Sequence, residues 1–340
     1  PVTEEITGQD LVEWQLRVAS GEKLPLKQEE LRINGWAMEA RLYAENPETG
    51  FLPSTGELAW FIQADRHDYE VYPVRRDSAV EPGSEVTPYY DPMLAKFIAH
   101  GATRAEAIAR LRNACAACEA APVKTNAGFL VRCLSHPRFA AGDVDTGLIA
   151  ADLDRLVQRP PADEAIASLA AKKFAMDAAM GRFTRRASLS REATRSPWAQ
   201  LEGFRLNARR NALVHMIHEG KSYAALPERD WDSITSVDGV VYVFREGDAY
   251  EFHLDTGERA DGEAAANDGA ILSPMPGKIV SVAAKAGARL KKGDPILVLE
   301  AMKMEHTLTA PFDGKLAELN AKPGAQVSEG VLLAKLEAAT

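Results

Sequence analysis

The chain has little cysteine, no long apolar run and a deficit of positive charge. Its 340 residues include three cysteines, which are too few for a disulfide framework. It contains no run of 18 apolar residues and no charged-then-apolar leader, so we expect a soluble protein of a cytosol or an organelle matrix, with no membrane partner. The formal net charge of −9 argues against nucleic acid as a partner.

The cysteines and histidines do not form a recognisable metal site. Cys115 and Cys118 have CxxC spacing, but they lie in an Ala-rich helical pattern without a second CxxC, which favours buried helical thiols. His215 and His218 are three residues apart in a segment with strand-like alternation. We therefore predict no metal ligands.

An internal repeat occupies the C-terminal part of the chain. Shifting the sequence by 37 positions aligns Pro274–Ala301 with Pro311–Ala338 without a gap, and turn residues such as Gly277 and Gly314 coincide. Each copy has the pattern of short strands broken by glycine-containing turns, and it is too small to bury its own apolar face. We expect the two copies to pack on each other as a pseudo-twofold pair of small sheets.

The junction between the two copies carries the sequence Ala301-Met302-Lys303-Met304. By the twofold relation, Met302 and Lys303 should lie on a tight hairpin exposed at one end of the sandwich. A lysine in that position supports no core, so Lys303 is a candidate attachment site.

The region from about residue 268 to residue 338 resembles the biotinyl (biotin carboxyl carrier) domain, whose A-M-K-M tetrapeptide carries biotin on its lysine. The resemblance implies covalent biotin on Lys303, with Ala301, Met302 and Met304 around it. It also implies a biotin protein ligase, because a lysine with a pKa of about 10.4 is a poor acyl acceptor while protonated. A lipoyl domain has the same two-copy architecture, but it usually places an acidic residue directly before its lysine.

The first part of the chain has an α+β pattern. The hydrophobic periodicity and capping residues predict an amphipathic helix over Thr7–Ala19 with its apolar residues toward a core. They further predict a strand over Ala37–Tyr43, a helix after Asp91, and a helix from Arg104 to about Glu119.

Residues 1–158 resemble the C-terminal subdomain of biotin carboxylase, because several of its motifs occur here in the family's order. They are Thr7–Val12, Glu39–Arg41, Phe51–Gly56, Tyr90–Lys96, Lys124–Asn126 and His136–Phe139. Trp36 stands where the family usually has histidine. The resemblance implies that an ATP-grasp half, which binds ATP, Mg²⁺ and bicarbonate, would precede Pro1. The chain alone should then not carboxylate biotin, and its opening without an initiator methionine suggests a fragment.

One family active-site position matches a residue of this chain. Val74–Asp77 resembles a family segment whose arginine contacts biotin and stabilises its enolate, which implies that role for Arg75. A guanidinium suits this task because it stays charged and offers several donors to a developing oxyanion.

The middle of the chain, residues 159–256, begins with a helix predicted from Asp163 to about Met180 and includes a hairpin over Val240–Leu254. Ser196–Trp198 and Gly203–Asn207 resemble the helix-plus-antiparallel-β-barrel docking domain of 3-methylcrotonyl-CoA carboxylase α subunits. Residues 257–270 are rich in Gly, Ala, Asp and Glu, which predicts a flexible linker before the carrier domain at 271–340.

Together these resemblances imply a multidomain α+β subunit of a biotin-dependent acyl-CoA carboxylase. Its C-terminal biotin carboxylase subdomain and docking domain would be followed by a flattened all-β biotinyl (lipoyl-like) sandwich. In that family, biotin is carboxylated with ATP and bicarbonate, and the carboxyl group passes to an acyl-CoA on a partner carboxyltransferase β subunit. The 3-methylcrotonyl-CoA enzyme of leucine catabolism is the expected member, in the cytoplasm of a bacterium or the mitochondrial matrix of a eukaryote. Propionyl-CoA, geranyl-CoA and acetyl-CoA carboxylases, or a non-catalytic biotin carrier and docking module, remain alternatives.

Overall fold

A computed structural model describes residues 1–62, 74–179, 213–227, 233–255, 269–274, 276–301, 304–328 and 330–338. The chain divides into two compact units. The first comprises Pro1–Tyr43, Glu57–Ser84 and Met93–Asp255, and the second comprises Ala44–Gly56, Glu85–Pro92 and Thr256–Thr340. No helix in the described ranges combines the length and the apolarity that a membrane crossing requires.

The described helices and strands are numbered in chain order. The helices are α1 Val2–Thr7, α2 Leu11–Ala19, α3 Arg104–Ala116, α4 Ala127–Leu134, α5 Pro137–Ala141, α6 Leu148–Ala151, α7 Leu153–Val157 and α8 Glu164–Ala179. The first fourteen strands are β1 Trp36–Tyr43, β2 Glu45–Asn46, β3 Leu52–Pro53, β4 Gly56–Glu57, β5 Trp60–Ile62, β6 Val74–Ser78, β7 Glu85–Val86, β8 Met93–Gly101, β9 Glu119–Ala121, β10 Val214–His218, β11 Lys221–Ala225, β12 Ile234–Val237, β13 Val240–Arg245 and β14 Asp248–Leu254. The remaining strands are β15 Ala270–Leu272, β16 Gly277–Val282, β17 Arg289–Leu290, β18 Pro295–Ala301, β19 Met304–Thr309, β20 Gly314–Leu319, β21 Gln326–Val327 and β22 Leu332–Ala338.

An antiparallel sheet of order β1-β8-β6 organises the N-terminal domain, by which we mean residues 1–158. The strand predicted over Ala37–Tyr43 is confirmed as β1. The helix predicted after Asp91 is wrong, because that segment is β8, the central and largely buried strand of this sheet. A short, almost continuous apolar run has the same pattern in a buried strand and a buried helix, so periodicity alone did not separate the two.

The N-terminal helix differs from its prediction in two ways. Gly8, with a φ of 69°, ends α1, and Asp10 begins α2 by accepting hydrogen bonds from the backbone N–H groups of Val12 and Glu13. The apolar residues expected to face a core are exposed in the described part of the chain. They are Leu11, Val12, Leu16 and Val18. An amphipathic pattern identifies the apolar face of a helix, but it does not supply a partner for that face.

In the described part of the middle module, residues 159–256, α8 packs on an antiparallel sheet of order β11-β10-β14-β13-β12. The predicted helix and the predicted hairpin are both confirmed. The expected β-barrel is not closed within the described ranges, where the five strands form an open sheet. The segments Ser196–Trp198 and Gly203–Asn207, on which the resemblance to the docking domain rests, lie outside the described residues.

The C-terminal sandwich, residues 269–338, contains two four-stranded sheets of order β15-β22-β20-β17 and β19-β18-β16-β21. The strands β16, β17 and β18 recur as β20, β21 and β22 with an offset of 37 residues, so the predicted repeat and all-β sandwich are confirmed. The strand β15 begins at Ala270, the last residue of the predicted linker, and residues 257–268 lie outside the described residues.

Backbone hydrogen bonds between the copies follow the twofold relation. The N–H of Gly287 donates to the carbonyl of Leu316, and the N–H of Gly324 donates to that of Ile279, both at 2.7 Å. Gly324 and Leu316 are the repeat equivalents of Gly287 and Ile279, so the two bonds are related by the twofold symmetry. Each copy therefore completes the other, as expected for a repeat that cannot bury its apolar face alone.

Candidate functional site

A two-residue hairpin connects the two copies of the repeat. The strands β18 and β19 pair antiparallel from Pro295 and Thr309 up to a last Cα pair between Ala301 and Met304. Only Met302 and Lys303 lie beyond that pair. These two residues and the side chains of Ala301 and Met304 lie outside the described residues, so the structure places the ends of the hairpin and not the lysine side chain.

Exposed charged residues surround the base of this hairpin. Glu300 and Glu305 form the cross-strand pair next to the tip, and both are exposed. Lys278 of β16 is the Cα partner of Glu300 on its other side and is also exposed. Like charges directly opposite each other cost stability. A carboxylate pair at this position therefore fits a surface used for recognition better than one selected only for folding.

Gly277 permits the close strand approach below the hairpin. A Cβ at this position would lie 2.7 Å from the carbonyl oxygen of Glu300. The repeat-related Gly314 is under the same constraint, because its Cβ would lie 2.3 Å from the carbonyl oxygen of Glu337. The glycines that align in the sequence repeat are therefore required by the same backbone contact in both copies.

His306 supplies a neutral ring near the tip of the hairpin. It is the Cα partner of the buried Leu299, and its Nε2 atom is buried without a hydrogen-bond partner among the described residues. Burial lowers the pKa of this imidazole below its ordinary value. Burial therefore favours the neutral form of His306, and the charged groups next to the tip are Glu300, Glu305 and Lys278.

Arg75 lies in β6 of the first unit, whereas Ala301 and Met304 belong to the second unit. Its guanidinium forms ion pairs with Asp77 at 2.9 Å, Glu4 at 3.1 Å and Glu5 at 3.3 Å. The hydrogen bonds that the guanidinium donates to the Asp77 carboxylate contribute most to raising the pKa of Arg75. As placed, Arg75 joins α1 to the edge of the sheet, and its role toward biotin stays a prediction.

Cys115 and Cys118 are buried and Cys133 is half-buried. Burial raises the pKa of Cys115 to about 12 and that of Cys133 to about 11, and it raises the pKa of Cys118 further. Thiols with such pKa values are poor nucleophiles and poor metal ligands at neutral pH. Within the described ranges, no group of three or more His, Cys, Asp or Glu residues could hold a metal ion.

A buried ion pair in the middle module was not predicted from the sequence. The Lys173 ammonium donates to both carboxylate oxygens of Asp177, at 2.6 and 2.7 Å, and to the Ser236 hydroxyl at 3.0 Å. Asp177 is fully buried and Lys173 nearly so. Their i, i+4 spacing on a mostly apolar helix was the available signal, but that spacing is also common on exposed faces.

Two regions of the chain match known families. Residues 39–151 match the biotin carboxylase C-terminal domain, and residues 269–336 match the family described as biotin-requiring enzyme. These matches confirm the two domains that the sequence motifs predicted.

Relatives of known name extend the similarity over most of the chain. The mitochondrial methylcrotonoyl-CoA carboxylase subunit alpha of Dictyostelium discoideum is 35% identical, over 91% of this chain and 49% of that protein. The propionyl-CoA carboxylase alpha chain of Ruegeria pomeroyi is 32% identical, over 91% of this chain and 52% of that protein. The crystal structure of the biotin carboxylase subunit of pyruvate carboxylase is 35% identical, with a TM-score of 0.44, over 47% of this chain and 34% of that one. The chain spans about half the length of the two carboxylase α subunits.

Proposed function

We propose that this chain, which contains a biotin carboxylase C-terminal domain and a biotinyl domain, is part of the α subunit of a biotin-dependent acyl-CoA carboxylase acting on 3-methylcrotonyl-CoA. The observation that carries the proposal is the two-residue hairpin at the twofold junction of the sandwich, which leaves Met302 and Lys303 beyond the last strand pair. Similarity to methylcrotonoyl-CoA carboxylase alpha subunits over 91% of the chain supports the choice of enzyme.

The hairpin fits a covalently attached carrier group. Lys303 would hold biotin through an amide bond formed by a biotin protein ligase, with Ala301, Met302 and Met304 framing the lysine. Bound there, biotin would supply a ureido nitrogen that accepts a carboxyl group and releases it to a second site. The protein's own contribution would be to hold the lysine between the ends of β18 and β19, which are strands fixed by a shared core.

The remaining requirements of the reaction would be met elsewhere. ATP, Mg²⁺ and bicarbonate would bind to the part of the α subunits that this chain does not span. The middle module, proposed as residues 159–256, would bind a carboxyltransferase β subunit that holds the acyl-CoA. The carrier domain at 271–340 would follow the linker at 257–270. The mitochondrial matrix is the proposed location for a eukaryotic protein, because the Dictyostelium discoideum relative is named as mitochondrial, and the cytoplasm is proposed for a bacterial one.

A role of Arg75 in biotin carboxylation can be distinguished by experiment from a purely structural role. In the complete α subunit, we expect Arg75→Ala to slow ATP-dependent carboxylation of biotin while leaving the melting temperature nearly unchanged, because exposed ion pairs contribute about 0–1 kcal/mol each and many contribute nothing measurable. Arg17→Ala, which removes another exposed ion pair, is the matched control. Unchanged carboxylation in Arg75→Ala would assign the arginine to joining α1 and β6.

The acyl-CoA preference tests the proposed enzyme directly. The complete α subunit should copurify with a β subunit, and the pair should fix labelled bicarbonate into 3-methylcrotonyl-CoA with a kcat/KM at least about tenfold above that for propionyl-CoA or acetyl-CoA. A preference for propionyl-CoA would assign the chain to the propionyl-CoA enzyme instead. Copurification without any acyl-CoA carboxylation would favour the non-catalytic carrier and docking module.

A further inference from the structure

The β13–β14 hairpin of the middle module ends in a turn of unusual composition. Glu246 has a φ of 53° and Gly247 a φ of 77°, and Arg245 pairs with Asp248 across the turn. Two consecutive positive φ angles define a type I′ turn, whose first central residue is usually Asn, Asp or Gly. Glutamate adopts this backbone conformation at a conformational cost. Its presence indicates that its side chain has a task.

Both carboxylates of this turn reach arginines of the N-terminal domain. Glu246 pairs with Arg112 of α3 at 2.5 Å, and Asp248 pairs with Arg132 of α4 at 2.6 Å. The second pair is the more buried, with side-chain exposures of 20% for the arginine and 12% for the aspartate. Water screens a pair at this depth less than an exposed one, so it contributes more to orientation. The carboxylate of Asp248 also lies beside Gly128 in the first turn of α4, where the helix dipole favours an anion.

The backbone of the turn touches the backbone of the N-terminal domain. The N–H of Gly247 donates to the carbonyl of Ala116, at the end of α3, over 3.0 Å. A Cβ on Gly247 would lie 2.8 Å from the backbone nitrogen of Gly128. A Cβ on Gly128 would in turn lie 2.0 Å from the Asp248 carboxylate. Glycines on both sides of the contact therefore make it possible, and neither can be replaced without displacing the other side.

An apolar cluster continues the same interface along β13. Ala121 of the N-terminal domain packs with Tyr242 and Phe244 of the middle module in one buried group, and Trp60 packs against it. Ion pairs, backbone contact and apolar packing thus act on one continuous surface.

We propose that the contacts of the Glu246–Asp248 turn fix the middle module to α3 and α4. The middle module and the N-terminal domain then move as one rigid body. The consequence for turnover rests on the proposed function. A partner subunit bound to the middle module would then stand at a fixed distance from the carboxylating domain. Movement of biotin between the two reaction sites would then depend entirely on the carrier domain and the segment that follows Asp255.

Amide hydrogen exchange of the full chain tests this contact without requiring enzyme activity. Gly239 occupies the same position in the Asp238-Gly239 turn of the β12–β13 hairpin, with a φ of 85°, and is exposed, whereas Gly247 is buried. We expect the Gly247 amide to exchange at least about 100-fold more slowly than the Gly239 amide, because it opens only with the interface. Comparable exchange at the two glycines would overturn the proposal.

Charge reversal supplies a second test in the full chain. Asp248→Arg should remove the protection of the Gly247 amide and split the joint thermal transition of the N-terminal domain and the middle module into two. The swap Arg132→Asp/Asp248→Arg should restore much of both, and Asp238→Arg is the matched control at an exposed turn. A single unchanged transition in Asp248→Arg would contradict the rigid joint. Because none of these readouts involves biotin or acyl-CoA, their failure would leave the proposed function standing.

Discussion

Substitution of Lys303 by arginine should abolish biotin attachment to this chain completely while leaving the fold intact. Arginine keeps the positive charge and the length of the side chain, but its guanidinium stays protonated and cannot serve as the acyl acceptor. No other lysine occupies the two-residue hairpin between Ala301 and Met304. The measurement is a streptavidin blot together with intact-mass analysis after coexpression with a biotin ligase, which should show one biotin on the wild type and none on Lys303→Arg.

The repeat provides matched controls for this experiment. Lys278 on β16 and Lys315 on β20 are exposed and related by the 37-residue shift. Lys278→Arg and Lys315→Arg should each retain a full biotin. Biotin remaining on Lys303→Arg, or found on either control position, would contradict the assignment of the attachment site.

Substitution of Lys173 by methionine should destabilise the middle module by about 3–5 kcal/mol, because it removes the counter-charge of a carboxylate that is fully buried. The double variant Lys173→Met/Asp177→Leu should recover most of that loss, since it removes both charges and keeps the side-chain volumes similar. The measurement is urea unfolding followed through hydrogen exchange of β13 and β14.

An exposed lysine provides the control for this second experiment. Lys221 lies at the start of β11 in the same module, and Lys221→Met should change the stability by no more than about 0.5 kcal/mol. A cost below about 1 kcal/mol for Lys173→Met would show that the ion pair is not the structural element that its burial indicates. A double variant less stable than the single one would show the same.

The two-copy organisation of the sandwich could be predicted from the sequence repeat. Its repeat places glycine, proline and apolar residues at matching positions, and each of these has the same physical task in both copies. Gly277 and Gly314, for example, each allow a strand to approach a neighbouring carbonyl closely. A repeat that places the same residue types at equivalent positions in two copies is stronger evidence for a structure than a single motif. The position of the hairpin therefore followed from the sequence alone.

The N-terminal domain was harder to predict. The wrong predictions there depend on contacts with distant segments, which local conformational preference does not determine. The apolar run Met93–Gly101 is a strand because β1 and β6 pair with it on either side, and the sequence of the run itself does not contain that information. The exposed apolar face of α2 is a similar case. Local capping by Asp10 set where this helix begins, whereas what its apolar residues contact depends on other segments.

The turn at Glu246–Asp248 could be predicted from the sequence, but its contacts could not. Its position between two strands follows from strand alternation and a glycine, and that prediction is confirmed. Its contacts with Arg112 and Arg132 join residues more than a hundred positions apart. No local pattern encodes such a contact, so only the folded chain shows that a strained glutamate has an arginine partner.

The central claim is our proposal that biotin attached to the lysine at the repeat junction carries the carboxyl group. The most direct measurement is the incorporation of labelled bicarbonate into the complete, biotinylated α subunit. We predict ATP-dependent labelling that approaches one carboxyl group per chain, is absent from Lys303→Arg, and is lost when the partner subunit and 3-methylcrotonyl-CoA are added. A fully biotinylated chain that acquires no label, or a label that persists in Lys303→Arg, would contradict the account.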